Sequence, residues 1–536
     1  MKIISEDEKI PIESNDLLNG FCLFGLSTSF LLIFQVHYTT ICLVFVCLNL
    51  AWYFLHRMIN KTGAWPNVIG TSYRFPLGDV PGMQISRNGH YLLNLCKQLN
   101  SPQVYRIWVG PRPALMMAHP DVVRQFWQQH DETSIERVVQ LGWPLLLIMG
   151  QGIGFKTYHN RNRINRFFHE CFGPKQVARY ELSLEREVDV IMKRLQTMII
   201  EAADAPLDIA YELKYLAHDA GMDMFLGPES SKYLPELHEL VDDLVLVMTA
   251  TFDARYINLP IVDWFLPKAY RLRSDILSIR SKWDKLLKII MQDCIQNQCL
   301  QRESDDDSIL VRYLRQKAIK GETDITYEEL SDTIIEGLLA PSDGFAATFA
   351  NTLILLALNP EVQHEARERV RQRMPSNSQE TITLADLAEL DYLDHVLSEC
   401  QRILPIFMFN VPELTSCEMT LGGVPIPKET MVMYDVQTLN RCEDIWPDPL
   451  VFRPERFAMI NDKQRKALHG FGNGRSRRCL GEHLVRNLHK LFIARILLAY
   501  QLAPGDNERN VDELPRARRP FIYVPHVFLK FTSINN

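Results

Sequence analysis

The stretch Phe471-Gly472-Asn473-Gly474-Arg475-Ser476-Arg477-Arg478-Cys479-Leu480-Gly481 decides how this chain is read. Its glycines let the backbone bend tightly and come close to a flat or bulky group. Directly after it, Leu484, Leu488, Leu491, Phe492, Ile496 and Ala499 recur at helical spacing. That pattern predicts an amphipathic helix starting just beyond Gly481. Cys479 then sits near a helix N-terminus among Arg475, Arg477 and Arg478, a setting that favours thiolate over thiol. Such a thiolate can serve as a nucleophile or as ligand to a soft metal centre, haem iron included. An ordinary turn with a buried cysteine is the plainer alternative. A phosphate-cradling loop is a third, although the Lys-Ser/Thr pair of a P-loop is absent.

Outward from this loop, the 536 residues are 47% apolar and 23% charged, with a formal net charge of −7. That composition supports a large folded core and excludes wholesale disorder. It also argues against a chain built mainly to neutralise nucleic-acid phosphates. Eleven cysteines with no C-x-x-C pair exclude a small disulfide scaffold, a zinc ribbon and a thioredoxin-like motif. Helical patterning covers roughly 176–203, 206–225, 233–252, 265–298, 326–358, 360–373 and 384–403, with β-like pieces at 104–109 and 417–434. The acidic run Glu303–Asp307 reads as a solvated loop. No linker divides this body, which predicts a single unit, mainly α with small β-sheets.

Three landmarks precede the loop: Leu356-Ala357-Leu358-Asn359-Pro360, then Glu399-Cys400-Gln401-Arg402, then Trp446-Pro447-Asp448-Pro449 with Phe452-Arg453-Pro454-Glu455-Arg456-Phe457. With the loop they resemble, in order and spacing, the landmarks of the cytochrome P-450 family, whose haem-binding signature is F-x-x-G-x-R-x-C-x-G. The resemblance implies a cytochrome P-450-like fold, Cys479 as the axial ligand of haem b iron, and Phe471, Gly474, Arg477 and Gly481 around the cofactor. It implies a buried Glu399–Arg402–Arg456 triad, since an Arg between carboxylates makes paired charge-assisted hydrogen bonds. His159 and Arg163 stand where a propionate-binding pair is usual.

Departures from the family pattern are equally specific. One extra residue separates Gly474 from Cys479, which leaves Arg477 as the best placed cation for a propionate. The distal-helix motif A-G-x-D-T becomes Ala340-Pro341-Ser342-Asp343-Gly344: Asp343 matches the catalytic acid, but Gly344 replaces the hydroxyl. Pro341 cannot donate to Gly337, so the helix is expected to open there. Ser342 or Thr348 could then assist proton delivery. Glu413 occupies a position where another propionate-binding Arg is usual.

The N-terminal part predicts a membrane anchor. Leu17–Leu55 is free of Asp, Glu, Lys and Arg, and Val36–Leu55 has 16 apolar residues in 20, enough for one span of a core roughly 30 Å thick, with two short spans also possible. Acidic residues at 6, 7, 8, 13 and 16 speak against a signal peptide. Arg57 and Lys61 place the body on the cytosolic side, which would leave the sequon at Asn60 unglycosylated. The expected layout is an acidic tail (1–16), an anchor (17–55), a linker (56–75) and a haem-thiolate domain (76–536).

The resemblance is closest to fungal microsomal members, implying the endoplasmic reticulum membrane and secondary-metabolite biosynthesis. It implies monooxygenation of a lipophilic small molecule, with electrons from a separate NADPH-dependent reductase, because no flavin or nicotinamide fingerprint occurs here. Arg475, Arg478, Arg486 and Lys490 are expected as a basic patch for that partner. The apolar run Ile403–Phe409 is expected to line the pocket. The alternatives are a haem-thiolate rearrangement, dehydration or peroxide-driven reaction, and a non-catalytic membrane-tethered binding protein.

Overall fold

A computed structural model divides the chain into two compact units, Met1–Ala64 and Trp65–Asn536. It describes Cys47 in the first unit, and in the second all residues except 66, 75–76, 87–88, 111, 131–142, 155–157, 252–266, 298–307, 341–343, 374–381, 383, 475–476, 506–525 and 535–536. Apart from Cys47, the expected tail and anchor, together with the acidic run at 303–307, lie outside the described residues. Among the described residues, no helix is long and apolar enough to cross a membrane.

The second unit is mainly helical with three small sheets, as the periodicity predicts. Its longest helices are Glu181–Ala202, Leu234–Thr251, Pro267–Gln296 and Glu482–Ala499. Each buries one stripe: in Pro267–Gln296, Ala269, Leu272, Ile276, Ile279, Trp283, Leu287 and Ile290 turn inward at helical spacing. The 326–358 pattern is two helices, Tyr327–Ala340 and Ala346–Leu358, with Gly344 and Phe345 in a wide π-type turn. Residues 341–343, where Pro341 predicts the helix to open, lie outside the described residues.

The largest sheet runs Val104–Val109, Arg112–Met117, Met431–Tyr434, Glu413–Leu414. Its outer neighbours are antiparallel, while Arg112–Met117 and Met431–Tyr434 pair in parallel, Ala114 opposite Met431. The hairpin Met419–Leu421/Val424–Ile426 turns on Gly422 and Gly423, both at positive φ, as the Gly-Gly pair indicated. A third sheet joins Leu207–Asp208 to Phe528–Ser533 and Tyr500–Pro504. The compact unit begins before the expected boundary at 76. Arg106 N donates to Ile69 O at 2.9 Å and Trp108 Nε1 to Thr71 O at 3.0 Å, so the later half of the expected linker is sewn onto the first strand.

The expected triad forms. Both carboxylate oxygens of Glu399 accept from Arg402, Nε at 2.7 Å and Nη2 at 2.8 Å, and Oε1 also accepts Arg456 Nε at 2.9 Å. Arg402 Nη1 donates to Asn440 O and Pro449 O, while Arg453 N donates to Glu399 Oε1. The Trp446 ring faces the Arg402 guanidinium, 5.3 Å from its centroid. Glu399 and Arg402 are fully buried, where an ion pair is tolerable only when its remaining hydrogen-bonding capacity is filled. This network ties helix Asp391–Ile403 to the segment that leads into the cysteine loop.

Candidate functional site

The cysteine loop is shaped by its own backbone. Gly472 N donates to His469 O at 3.0 Å and Cys479 N to Phe471 O at 2.8 Å, closing the loop at its two ends. Gly472 and Gly474 have φ of +76° and +86°, conformations that other residues adopt only with strain. A Cβ on Gly472 would also lie 3.3 Å from Arg477 O. Helix Glu482–Ala499 starts immediately after Gly481, and the Gly481 amide hydrogen-bonds the Cys479 thiol.

Cys479 is exposed to a water-sized sphere, yet burial is the dominant influence on its acidity. The two descriptions agree if the side chain faces an enclosed recess, reachable locally but ringed by protein further out. Burial pushes the thiol up, and the nearby Glu482 carboxylate pushes the same way. The Gly481 amide and Arg478 oppose this without reversing it. Burial thus opposes the thiolate that the neighbouring positive charge favours, and Arg478 helps less than its position in the sequence suggests. The reason is that Arg478 is spent on Glu482, with Nη2 2.8 Å from Oε1. A bound metal cation would itself draw off the proton.

The distal wall approaches from the broken helix. Thr348 Oγ1 donates to Gly344 O at 2.8 Å, the back-bond a helical Thr makes four residues earlier. Ile406 Cδ1 lies 3.1 Å from where a Cβ on Gly344 would be. From Ile406 the chain passes Phe407 and Val411, both partly exposed, and reaches buried Glu413, whose Oε1 is 3.7 Å from Arg477 Nε. One apolar segment thus spans from the helix break to the residue two before Cys479. Behind the recess the two helices are pinned together. Thr352 Oγ1 and His489 Nε2 are 3.0 Å apart, and the Phe349 ring packs on His489 and Phe492. Burial keeps His489 neutral, its pKa lowered to about 3.

These features fit a haem. They supply a reachable thiol, glycines where a flat ring system would approach the backbone, a buried cation beside the thiol loop and an apolar wall facing the helix break. Phe471 is half-buried under the Arg486 guanidinium, at 4.8 Å, and Gly474 and Gly481 flank the thiol. Arg477 is buried at the loop but faces Glu413, a partner 64 residues earlier that its sequence neighbourhood did not reveal. Arg163, expected at a haem carboxylate, is engaged elsewhere. Its Nη2 donates to both Glu329 oxygens at 2.8 Å, near the start of helix Tyr327–Ala340 and about 16 Å along it from Ala340. His159 lies in helix Tyr158–Phe172, but its side chain, like the whole of Asp343 and Arg475, is outside the described structure.

The expected basic patch is also corrected. Arg486 contacts Glu482 and Asp394, while Lys490 is buried, pairs with Asp394 and donates to Leu387 O at 3.0 Å. Both groups are satisfied inside the protein, and of the four only Arg478 is described with a largely exposed side chain, itself paired. Glu482 and Thr348 act on groups four residues away along the chain, whereas Glu413 meets Arg477 from 64 residues earlier; the sequence marked Glu413 and Thr348 but not Glu482.

A cytochrome P450 family model matches residues 80–523. Among curated proteins, the chain is 23% identical to cytochrome P450 71B5 of Arabidopsis thaliana, over 81% of this chain and 87% of that protein. It is 28% identical to cytochrome P450 2J3 of Rattus norvegicus, covering 74% and 78% respectively. It is 22% identical to cytochrome P450 monooxygenase gliC of Aspergillus fumigatus, covering 82% of each.

Proposed function

This chain belongs to the cytochrome P450 family, a family of haem-thiolate monooxygenases, and from that premise we propose that it oxidises a lipophilic small molecule with electrons delivered by a separate NADPH-dependent reductase. The reading extends to an N-terminal anchor in the endoplasmic reticulum membrane, a cytosol-facing catalytic unit and a role in secondary metabolism. The observation that carries it is the reachable but protein-ringed Cys479 thiol at the start of helix Glu482–Ala499.

When bound, the haem supplies reductive activation of dioxygen, one oxygen atom going to the substrate and the other leaving as water. Cys479 would give up its proton and hold the iron. The amide of Gly481 steadies its sulfur, and the loop closure between Cys479 N and Phe471 O fixes its direction. Arg477 offers a cation to a haem carboxylate at the price of sharing it with Glu413. Ile406 and Phe407 line the substrate side and exclude water, which favours an apolar substrate. Asp343 is the proposed proton carrier beside the opened helix, the role its place in the motif assigns. Asp343→Asn should slow oxygen-dependent turnover and leave haem binding intact.

A second reading is favoured by one observation. Gly344 brings no hydroxyl, and the Thr348 hydroxyl is already committed to Gly344 O. A haem-thiolate reaction with less need of protons, such as a rearrangement, a dehydration or a peroxide-driven oxidation, suits that arrangement. One experiment separates the readings: co-expression with a reductase, candidate lipophilic metabolites and isotopically labelled dioxygen. Labelled product that depends on NADPH and reductase supports monooxygenation; turnover without reductase overturns it.

A further inference from the structure

Away from the cysteine loop, helices Leu216–Leu226 and Leu234–Thr251 meet through three potential metal ligands. Asp219 Oδ1 lies 2.7 Å from His218 Nδ1 and 2.7 Å from His238 Nε2. All three donor atoms fall within 4.8 Å of one another. His218 is fully buried, while Asp219 and His238 retain partial access to solvent. The Tyr215 ring stacks on His238 with centroids 3.9 Å apart, and its hydroxyl donates to Asp242 at 2.7 Å, so the imidazole is held from the side.

We propose that His218, Asp219 and His238 form a binding site for one divalent transition metal, with zinc the best match to the donor set. Two imidazole nitrogens and one carboxylate oxygen are a three-ligand tetrahedral set whose fourth position is left to water. Calcium and magnesium prefer all-oxygen shells, which two histidines do not provide. Metal–ligand bonds near 2.1 Å put neighbouring ligand atoms about 3.4 Å apart at the tetrahedral angle. The present separations need to open by less than about 1 Å on that geometry, which rotation of the partly exposed His238 and Asp219 side chains can supply. Binding needs the lone pairs that now lie behind protons shared with Asp219. The His218 proton can move to Nε2, which is buried and has no hydrogen-bond partner among the described residues, so the exchange breaks no bond there. Charge also suits the ion: the Asp219 carboxylate lies between the two imidazoles, and the Glu187 carboxylate is close enough to interact with it. A metal here would add a staple between two helices that follow one another through the turn Pro228–Tyr233 and would stabilise the fold by mass action.

The test uses the full chain, stripped with a chelator and titrated with zinc, then with cobalt(II) as a spectroscopic substitute. The expected result is one zinc per chain beyond any iron, tetrahedral cobalt bands in the visible, and a zinc-dependent rise in the thermal midpoint. His238→Gln and Asp219→Asn should each lower zinc affinity about a hundredfold, since even outer-shell partners are worth 10–100-fold. His238 is the main variant because it is partly exposed and its loss opens no core cavity; an unchanged far-ultraviolet spectrum confirms folding. Zinc binding that is equal in the variants and the unsubstituted chain, or absent from the latter at about 100 µM, overturns the proposal.

Discussion

The cysteine side of the recess and its helix-break side are built by opposite means. On the cysteine side, the loop, the Glu399–Arg402–Arg456 network and Trp446 form a continuous web in which every charge has a partner. On the other side, helix Tyr327–Ala340 gives way to helix Ala346–Leu358 through a wide π-type turn at Gly344 and Phe345, and the Thr348 hydroxyl adds a bond to Gly344 O. The first arrangement fixes a thiol in one direction. The second departs from regular α-helical geometry beside an apolar wall, with Ile406 close to Gly344. Rigidity is concentrated where a ligand bond must be aimed, and opening is tolerated where small molecules must move.

The largest expected way to break this contrast is Arg402→Ala. It removes one of the two cations on the buried Glu399 carboxylate and takes the donor from its Oε2, a loss on the order of 3–5 kcal/mol. Denaturant unfolding and soluble yield measure it; a loss below about 1 kcal/mol would mean that the web is not what holds the cysteine side.

Acid is the next lever. His489 has its folded pKa lowered to about 3 by burial and by the neighbouring Arg486 and Lys490. The unfolded chain therefore takes up the proton first, near pH 6.5. Stability is complete above that value and falls as pH drops from 6.5 towards 3, by at most about 1.4 kcal/mol per unit from this group. His489→Gln should flatten the slope over that window in pH-dependent thermal melts, and an unchanged slope would remove His489 as its source.

Smaller effects probe the helix break. Thr348→Val should cost at most about 1 kcal/mol by removing the hydroxyl's bond to Gly344 O, while Thr348→Ser restores most of it; equal stability of the two variants would show that the bond does not support the π-type turn. Gly344→Ala should be milder still, below about 1 kcal/mol, because the atom it meets at 3.1 Å is the flexible end of Ile406. A large loss there would mean that the wall against the break is as stiff as the cysteine side.

How much was legible in the sequence follows the same division. The loop, its helix and the Glu399–Arg402 pair are local patterns, set by spacing within a few residues, and they appear as read. Arg456 joined them because its motif is contiguous and distinctive. Partners brought together by the fold were not legible: Arg477 with Glu413, Arg163 with Glu329, and Lys490 with Asp394. Each is a cation whose sequence surroundings suggested a free charge, and each was claimed by a carboxylate from another segment. The opposition of burial to a Cys479 thiolate was hidden likewise, since local positive charge is visible in a sequence whereas desolvation is not. The sheet Leu207–Asp208/Phe528–Ser533 likewise pairs strands some 320 residues apart, beyond any periodicity.

The central claim is that Cys479 is the protein's ligand to haem iron. Its most direct test is the absorption spectrum of the reduced, carbon-monoxide-bound protein, with and without Cys479→Ala. The expected result is the red-shifted Soret band of thiolate-ligated haem in the unsubstituted protein and its loss in the variant. A protein that takes up no haem, or a band that survives Cys479→Ala unchanged, would contradict the claim.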